Sequence, residues 1–449
     1  MGELRILTSP LSGKSLVEDL KKKLEKPKID ANIILLYTSS NSKKDAGHIM
    51  DLLKDKFPNA QMAGCTVEGY LTREAVWTKG AAILLIDSDK VTIAHTSGRS
   101  TDKLFSRLNK EIKAKNKIVM FPLVYVPNLP NVIKLFAYDK YYYNIRYKRA
   151  RTTEEKRNIL KEYSKILESK IIYPANVALT NLDGEVAGMN LIPLAGGYRS
   201  PTLYVNFKEC HRCCVCMGIE GKVRMYYHDV FPERGKSFDE TVEILKDYFG
   251  RAEIVDTISK DIAIGEVNGK TAVRFLKERT LMSEISENDL KNRKLSKDAL
   301  PMVSPYALGY ISKETHGCSM IGLQPYPINI YPSTFNLNKF YESCVFTGEA
   351  YKGGISDFYG LFNNVSFEDS FLFFVIDFNI IPMFSKRIHL LRNYIKDNLN
   401  NEYIGILSSF PSFKSYRFKR KYLTEIEKNL CFNGTGTSFM VEASDIQVL

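Results

Sequence analysis

Three features of this 449-residue sequence point to an α/β fold, with two halves that are each a mixed β-sheet packed with helices in a layered sandwich. Ile33-Ile34-Leu35-Leu36-Tyr37 is a continuous apolar run between polar turn residues, the pattern of a buried strand. Residues 43–56 follow with Ile49, Leu52 and Leu53 at the spacing of one helical face. Pro58-Asn59 stops that helix, and a second apolar stretch from Gln61 to Ala63 completes a β-α-β unit with parallel strands. That second strand runs into the small residues Gly64-Cys65-Thr66 and Gly69. The arrangement returns at Leu191 to Leu194, which run into Ala195-Gly196-Gly197-Tyr198. Glycine turns at strand ends are where ligands of α/β folds sit.

The remaining elements follow in order. Residues 81–86 and 91–95 read as strands of a hairpin joined by Asp87-Ser88-Asp89-Lys90. Residues 104–112 are amphipathic, and 118–126 return to strand character. Tyr138 to Lys170 interleaves tyrosines with Arg146, Lys148, Arg149 and Arg151, then opens a helix with Thr152 or Thr153 as N-cap. Strands are expected at 177–179, 191–194, 203–207, 213–219 and 223–227, the last two joined by Glu220-Gly221 as a two-residue hairpin turn. A break at Phe231-Pro232 divides the chain into residues 1–232 and 233–449. Ser237 and Glu240 then form a capping box for a helix over 238–249. Beyond it, Asn268-Gly269-Lys270 is a turn, and 371–376, 404–407 and 437–441 are strands. Residues 388–399 and 422–430 are amphipathic helices.

Composition bounds the function. The chain is 44% hydrophobic and 25% charged, which describes a folded globular protein. No secretory leader is legible in residues 1–10, and the best apolar span, Phe371 to Phe384, is too short and carries Asp377 and Asn379. A cytoplasmic protein without membrane contact is expected. The net charge of +12 raises the question of nucleic acid, and basic and aromatic residues between Tyr138 and Arg157 can neutralise and stack on a single strand. No nucleic-acid motif accompanies them, and lysine is abundant along the whole chain, so a solvated helix is the expectation. Eight cysteines without a leader argue against a disulfide framework.

Candidate site residues are few. Gly64, Cys65, Thr66 and Gly69 form the first ligand-approach segment, and Gly196, Gly197 and Tyr198 form the second. Arg99, beside Gly98 at the end of a strand, can pair with a ligand carboxylate as a two-pronged donor. An enzyme reading would make Cys65 a nucleophile with His48 or His95 as its base, while the simpler reading is a small residue fitting a crowded turn. A redox reading would place Cys210, Cys213 and Cys216, spaced C-x-x-C-x-x-C, on one metal or iron–sulfur cluster, with His228 or Cys214 completing it. Strand alternation opposes this by turning Cys213 away from Cys214 and Cys216. Gly353-Gly354 and Gly434-x-Gly436 lack any phosphate-binding signature around them. No catalytic residue, metal or cofactor is assigned.

In the first half, the strand-helix order, Phe57-Pro58 and the segment Ala63-Gly64-Cys65-Thr66-Val67-Glu68-Gly69 resemble the FIST family, as does Ala195-Gly196-Gly197-Tyr198. In the second, Ile264-Gly265-Glu266-Val267-Asn268-Gly269-Lys270-Thr271-Ala272 and the closing strands around 404–409 and 434–442 are similar to it. Two departures stand out. Tyr70 replaces the family's Glu after the first turn, and Ser408-Ser409-Phe410 replaces its late Cys-x-Arg. The resemblance implies an N-terminal FIST-like domain over 1–232 and a C-terminal one over 233–449. It implies intracellular sensing of a small ligand, such as amino acids or small carboxylates, without catalysis. The absence of an output domain implies a separate protein partner, and no nucleic acid is expected.

Overall fold

The computed structural model describes residues 2–279, except 26–28, 124–132, 136, 171–172, 192–200, 229–235 and 250–251. Beyond them it describes 307–311, 318–322, 330–333, 336–337, 343–347, 361–362, 365, 370–377, 388–408, 411–414, 431–433 and 438–449. Gly196, Gly197, Tyr198, Phe231, Pro232, Ser409 and Phe410 lie outside the described residues. So do both later glycine segments and the helix expected over 422–430.

Three sheets make the main body. The first contains β1 (Gly2–Ser9), β2 (Ile33–Ser39), β3 (Gln61–Val67), β6 (Ala81–Asp87), β10 (Leu203–Val205), β11 (Lys208–Cys210) and β27 (Ile446–Val448), in the order β11-β10-β3-β2-β6-β1-β27. The second contains β7 (Val91–Ser97), β8 (Asn116–Pro122), β9 (Glu185–Leu191), β12 (Cys213–Ile219), β24 (Ser412–Lys414) and β25 (Cys431–Asn433), in the order β25-β24-β9-β8-β12-β7. The third contains β4 (Gly69–Leu71), β5 (Val76–Trp77), β13 (Val223–His228), β22 (Phe371–Asp377), β23 (Tyr403–Ser408) and β26 (Ser438–Ala443), in the order β13-β26-β22-β23-β4-β5.

Each sheet has a parallel pair inside it: β2 with β3, β8 with β9, and β22 with β23. A parallel pair needs a crossover, and each crossover here is helical. Helix α2 (Ala46–Lys56) links the first pair. The second is linked by α4 (Asn144–Arg149), α5 (Thr153–Lys170) and α6 (Ala175–Thr180), and the third by α9 (Ile388–Asn398). Alternate residues on each strand therefore face two different cores. The inward faces of all three sheets meet in one apolar centre that includes Leu35, Tyr37, Cys65, Met189, Val215, Phe373 and Ile406. Outward faces are covered separately. Helices α1 (Lys14–Glu25) and α2 cover the first sheet, and α9 the third. Helices α3 (Thr101–Glu111), α5 and α6 cover the second.

A smaller unit occupies the middle of the second half. There α7 (Phe238–Phe249) packs on a sheet of β14 (Ala252–Val255), β18 (Ala307–Ile311), β19 (Cys318–Gly322) and β21 (Ser343–Thr347). Strands β15 (Thr257–Lys260), β16 (Ala263–Val267), β17 (Lys270–Thr271) and β20 (Tyr331–Pro332) form a second small sheet, followed by α8 (Ala272–Arg279). Strands β15 and β16 lie against α5. The Ser164 hydroxyl donates to the Lys260 carbonyl at 2.8 Å and accepts from the Ile262 N–H at 3.2 Å, and Lys156 pairs with Glu266 at 2.6 Å.

The mixed α/β class, the first β-α-β unit, the capping box at Ser237 and, of the two N-caps offered, Thr152 are as read from sequence. Glu240 N–H donates to Ser237 Oγ at 3.2 Å, and Glu155 N–H donates to Thr152 Oγ1 at 3.1 Å. Other expectations need correction. Gly64, Cys65 and Thr66 are not a turn. They lie within β3, which is held on one side by β2 and on the other by β10. Neither expected hairpin forms, because β6 and β7 belong to different sheets, as do β12 and β13. Each short connection instead carries the chain from one sheet to another. Residues 177–179 are helical in α6, and β9 ends at Leu191 where a strand was expected to begin. The sheets also draw on both sides of residue 232: β4 pairs with β23, β1 with β27, and β9 with β24.

Candidate functional site

The parallel pairs β2/β3 and β22/β23 end close together. Ser39, the last residue of β2, is in register with Val67, the last of β3. The next residue, Glu68, donates its N–H to the Leu407 carbonyl at 3.0 Å. Leu407 precedes Ser408, the last residue of β23, and Ser408 is in register with Asp377, the last of β22. Carboxyl ends of parallel strands are the usual ligand positions in α/β sheets, because the crossover helices return from there and leave a crevice.

Strand alternation gives these terminal residues a common direction. Tyr37 and Ser39 share a face of β2, Ile406 and Ser408 a face of β23, and Val375 and Asp377 a face of β22. In each case it is the face that builds the shared core. A polar margin of Ser39, Asp377 and Ser408 thus terminates the apolar centre, all three being buried. Among the described residues, the hydroxyls of Ser39 and Ser408 have no hydrogen-bond partner, nor do those of Tyr37 and Tyr70 on the same core. A buried hydroxyl left unpaired costs about 1–3 kcal/mol, so this group is unusual for a layer that could have been built of valine and phenylalanine. Burial pushes the Tyr37 phenol well above its ordinary range, with Cys65 adding to the shift. These hydroxyls are therefore neutral hydrogen-bonding groups rather than acids.

The second sheet adds a polar pair at the corresponding end. The Ser412 hydroxyl donates to Asn190 Oδ1 at 2.9 Å, one residue before β9 ends. Gly188 lies opposite Ser412, and a Cβ on it would fall 2.4 Å from the Ser412 hydroxyl.

The residues expected from sequence are placed as follows. Gly64 is in register with Leu36, so close that a Cβ would sit 1.9 Å from the Leu36 carbonyl oxygen. A Cβ on Gly69 would sit 2.3 Å from the Trp77 carbonyl. Both glycines thus have a packing reason in the backbone approach of neighbouring strands. The Thr66 hydroxyl accepts from the Thr202 N–H at 3.1 Å, and the Thr66 N–H donates to the Thr202 carbonyl at 2.9 Å, anchoring the entry to β10. Cys65 is fully buried in the shared core, where desolvation pushes its thiol far up. His48 and His95 are both exposed, on α2 and β7. A buried protonated thiol is a poor nucleophile. Arg99 is exposed two residues beyond Ser97, which is in register with Cys213.

The cysteine cluster divides as strand alternation requires. Cys213 faces the shared core, while Cys214 and Cys216 face the helix-covered side, so the C-x-x-C-x-x-C set does not converge on one ion. Cys210 and Cys213 are joined by a disulfide, a single bridge among the described residues rather than the framework that the composition argued against. In the basic and aromatic stretch, Arg146 pairs with Glu162 at 2.6 Å and lies over the Tyr142 ring. Its charge is neutralised within the fold.

Sequence reading did not offer Ser39, Asp377 or Ser408 as site residues, although Ser408 fell in the segment that departs from the family's Cys-x-Arg. A signal was present, since each is the polar residue that closes an apolar run: Ile-Ile-Leu-Leu-Tyr-Thr-Ser, Phe-Leu-Phe-Phe-Val-Ile-Asp and Tyr-Ile-Gly-Ile-Leu-Ser. Its meaning depends on the three runs ending side by side.

The fold defines a mixed α/β module whose strands β2, β22 and β23 end on buried polar residues. Comparison with known proteins gives the lineage. The FIST N domain matches residues 32–147, and the AF0772-like protein C-terminal domain matches residues 239–352. An uncharacterized protein of Archaeoglobus fulgidus is 30% identical over 372 residues, covering 82% of this chain and 97% of that protein. The chain belongs to the FIST family, whose domains have a sensory and signal-transduction role. The second match coincides with the smaller unit around β14 to β21, between the strands that complete the three sheets. Among the described residues, no helix is long and apolar enough to cross a membrane.

Proposed function

We propose that this protein is a non-catalytic cytoplasmic sensor of a small polar ligand, taken up at the margin formed by Ser39, Asp377 and Ser408. The observation carrying this reading is the pair of buried serine hydroxyls at the ends of β2 and β23 that have no partner among the described residues. Ser408 is in register with Asp377, and Ser39 is linked to that end through its register with Val67 and the Glu68–Leu407 hydrogen bond. Hydroxyl donors next to a carboxylate suit a ligand with both an anionic and a cationic group, so amino acids and related small carboxylates are the first class to try. Gly64, Cys65, Thr66 and Gly69 then act as the frame that sets the height of β3 and β4. Arg99 and the segment Gly196-Gly197-Tyr198 are proposed as further ligand contacts. The occupied state would be read by a separate protein partner.

A thermal-shift screen against amino acids, small carboxylates and nucleotides tests this, with metal analysis on the same sample. A ligand at a hundred times its dissociation constant adds roughly 2.7 kcal/mol of stability. The expected result is a stabilising amino acid or carboxylate whose effect is lost in Ser408→Ala and Ser39→Ala, with both variants still folded. A hit that survives both substitutions would place the ligand elsewhere. No hit at all would favour a scaffold working through protein contacts alone.

A further inference from the structure

The Cys210–Cys213 pair sits where the first sheet passes into the second. Cys210 ends β11, the outermost strand of the first sheet, and Cys213 begins β12 of the second. Cys210 is partly exposed and Cys213 fully buried. Only His211 and Arg212 separate them, and their Cα atoms are 6.0 Å apart. A bridge over so short a loop removes little freedom from the unfolded chain, because loop-closure entropy grows with loop length. Its effect is therefore local, and what it holds is the hairpin of β10 and β11.

That hairpin is lightly attached. Its strands have three residues each, and its turn at Asn206 and Phe207 has φ of 46° and 62°, conformations that cost energy in residues other than glycine. Nevertheless it covers the outer edge of β3: Leu203 is in register with Cys65, the Thr202 backbone is hydrogen-bonded to Thr66, and the Tyr204 hydroxyl meets Thr38 Oγ1. Lys208, His211 and Arg212 lie beside the two cysteines in sequence, with Glu209 3.9 Å from His211. Basic neighbours favour a thiolate on the partly exposed Cys210.

We propose that Cys210 and Cys213 form a reversible dithiol–disulfide couple that clamps the β10–β11 hairpin over β3 when oxidised and releases it when reduced. The reductant is a dithiol. One of its thiolates attacks Sγ of Cys210, the accessible sulfur, forming a mixed disulfide while Cys213 leaves as a thiolate and takes up a proton. The second reductant thiolate attacks the reductant sulfur of that mixed disulfide and expels Cys210. Two electrons and two protons pass to the pair, and the reductant closes its own disulfide. Cys65, Cys214 and Cys216 remain spectators, since all three are free and buried.

Full-length protein equilibrated in graded mixtures of reduced and oxidised dithiothreitol, acid-quenched and alkylated under denaturing conditions, tests this by intact mass. The reduced end should carry adducts on all eight cysteines and the oxidised end two fewer, with one midpoint and the protected pair mapping to Cys210 and Cys213. Cys210→Ser and Cys213→Ser should be fully alkylated at every ratio. Hydrogen exchange on the same wild-type samples should quicken several-fold over 203–210 on reduction and stay unchanged in β22 and β23. Full alkylation at every ratio, protection of a different pair, or bound metal released on alkylating Cys210 and Cys213 would overturn the couple. Identical exchange over 203–210 in both forms would overturn the clamp.

Discussion

Gly64 shows how little room one position can leave. With its absent Cβ only 1.9 Å from the Leu36 carbonyl, Gly64→Ala must push β3 away from β2. Main-chain overlap is harder to relieve than a crowded side chain, so a loss of about 3 kcal/mol or more is expected, at the top of the range for overpacking. Urea denaturation of the variant measures it, and a loss under 1 kcal/mol would mean that the two strands stand further apart. Cys216 carries a prediction about pH. Burial pushes its thiol up to about 12, with the nearby Lys117 charge pulling the other way. In the unfolded chain the thiol ionises near its ordinary value of 9.0. Between these values the native state keeps a proton that the unfolded state has released, so stability falls as pH rises, by at most roughly 1.4 kcal/mol per pH unit for this group. Below about pH 8 it contributes no slope. Cys65 and Cys214 act in the same direction, whereas Lys117, its amine held down by desolvation, acts in the opposite one. Cys216→Ala should therefore lessen, without abolishing, the alkaline decline in urea midpoint from about pH 9 to 11. Parallel curves for variant and wild type would refute the assignment.

At the scale of single elements, α5 has two tasks. Its N-terminus is closed by Thr152 and Glu155, each bonded to the other's backbone N–H, and its buried face joins the smaller unit to the main body. Thr152→Ala should cost about 1 kcal/mol through the lost cap. Ser164→Ala leaves the Ile262 N–H without its acceptor and the Lys260 carbonyl without its donor, so exchange at Ile262 should quicken while β2 and β3 keep their protection. Uniform quickening along the chain would instead mean that the smaller unit and the sheets unfold as one. Periodicity made α5 readable, since its capping residues and apolar spacing are local. Strand partnership was a different matter. β6 and β7 looked like a hairpin because a short polar loop joins two strands, yet each is buried on a sheet of its own. Local pattern identifies a strand from its own residues, whereas its partner depends on the apolar faces available elsewhere.

Taken whole, the molecule is not two lobes in sequence. The last strand, β27, lies beside the first, β1, and β22, β23 and β26 complete a sheet with β4 and β5. Residues 1–232 alone would leave the shared core without Phe373, Val375, Ile404, Ile406, Phe439 and Val441. Each such side chain contributes about 1.5–3 kcal/mol when buried, more in sum than a typical net stability. Fragment 1–232 is thus expected to lack cooperative unfolding by circular dichroism, and co-expression with 233–449 should restore it. A cooperative transition in the isolated fragment would show that the first half closes its own core.

Much of this was written locally. Apolar runs, helical spacing and caps determined the α/β class, the first β-α-β unit, the strands at 371–376 and 404–407, and the family resemblance. None of them could place Ser39, Asp377 and Ser408 together, because Ser39 lies hundreds of positions from the other two and each, taken singly, only closes an apolar run. That grouping arises only when the β2–β3 and β22–β23 pairs turn their apolar faces to one centre and bring their carboxyl ends together. The turn assigned to Gly64-Cys65-Thr66 was missed for the same reason. Small residues suit both a loop near a ligand and a strand pressed between neighbours, and burial on both flanks, a tertiary quantity, chose the strand.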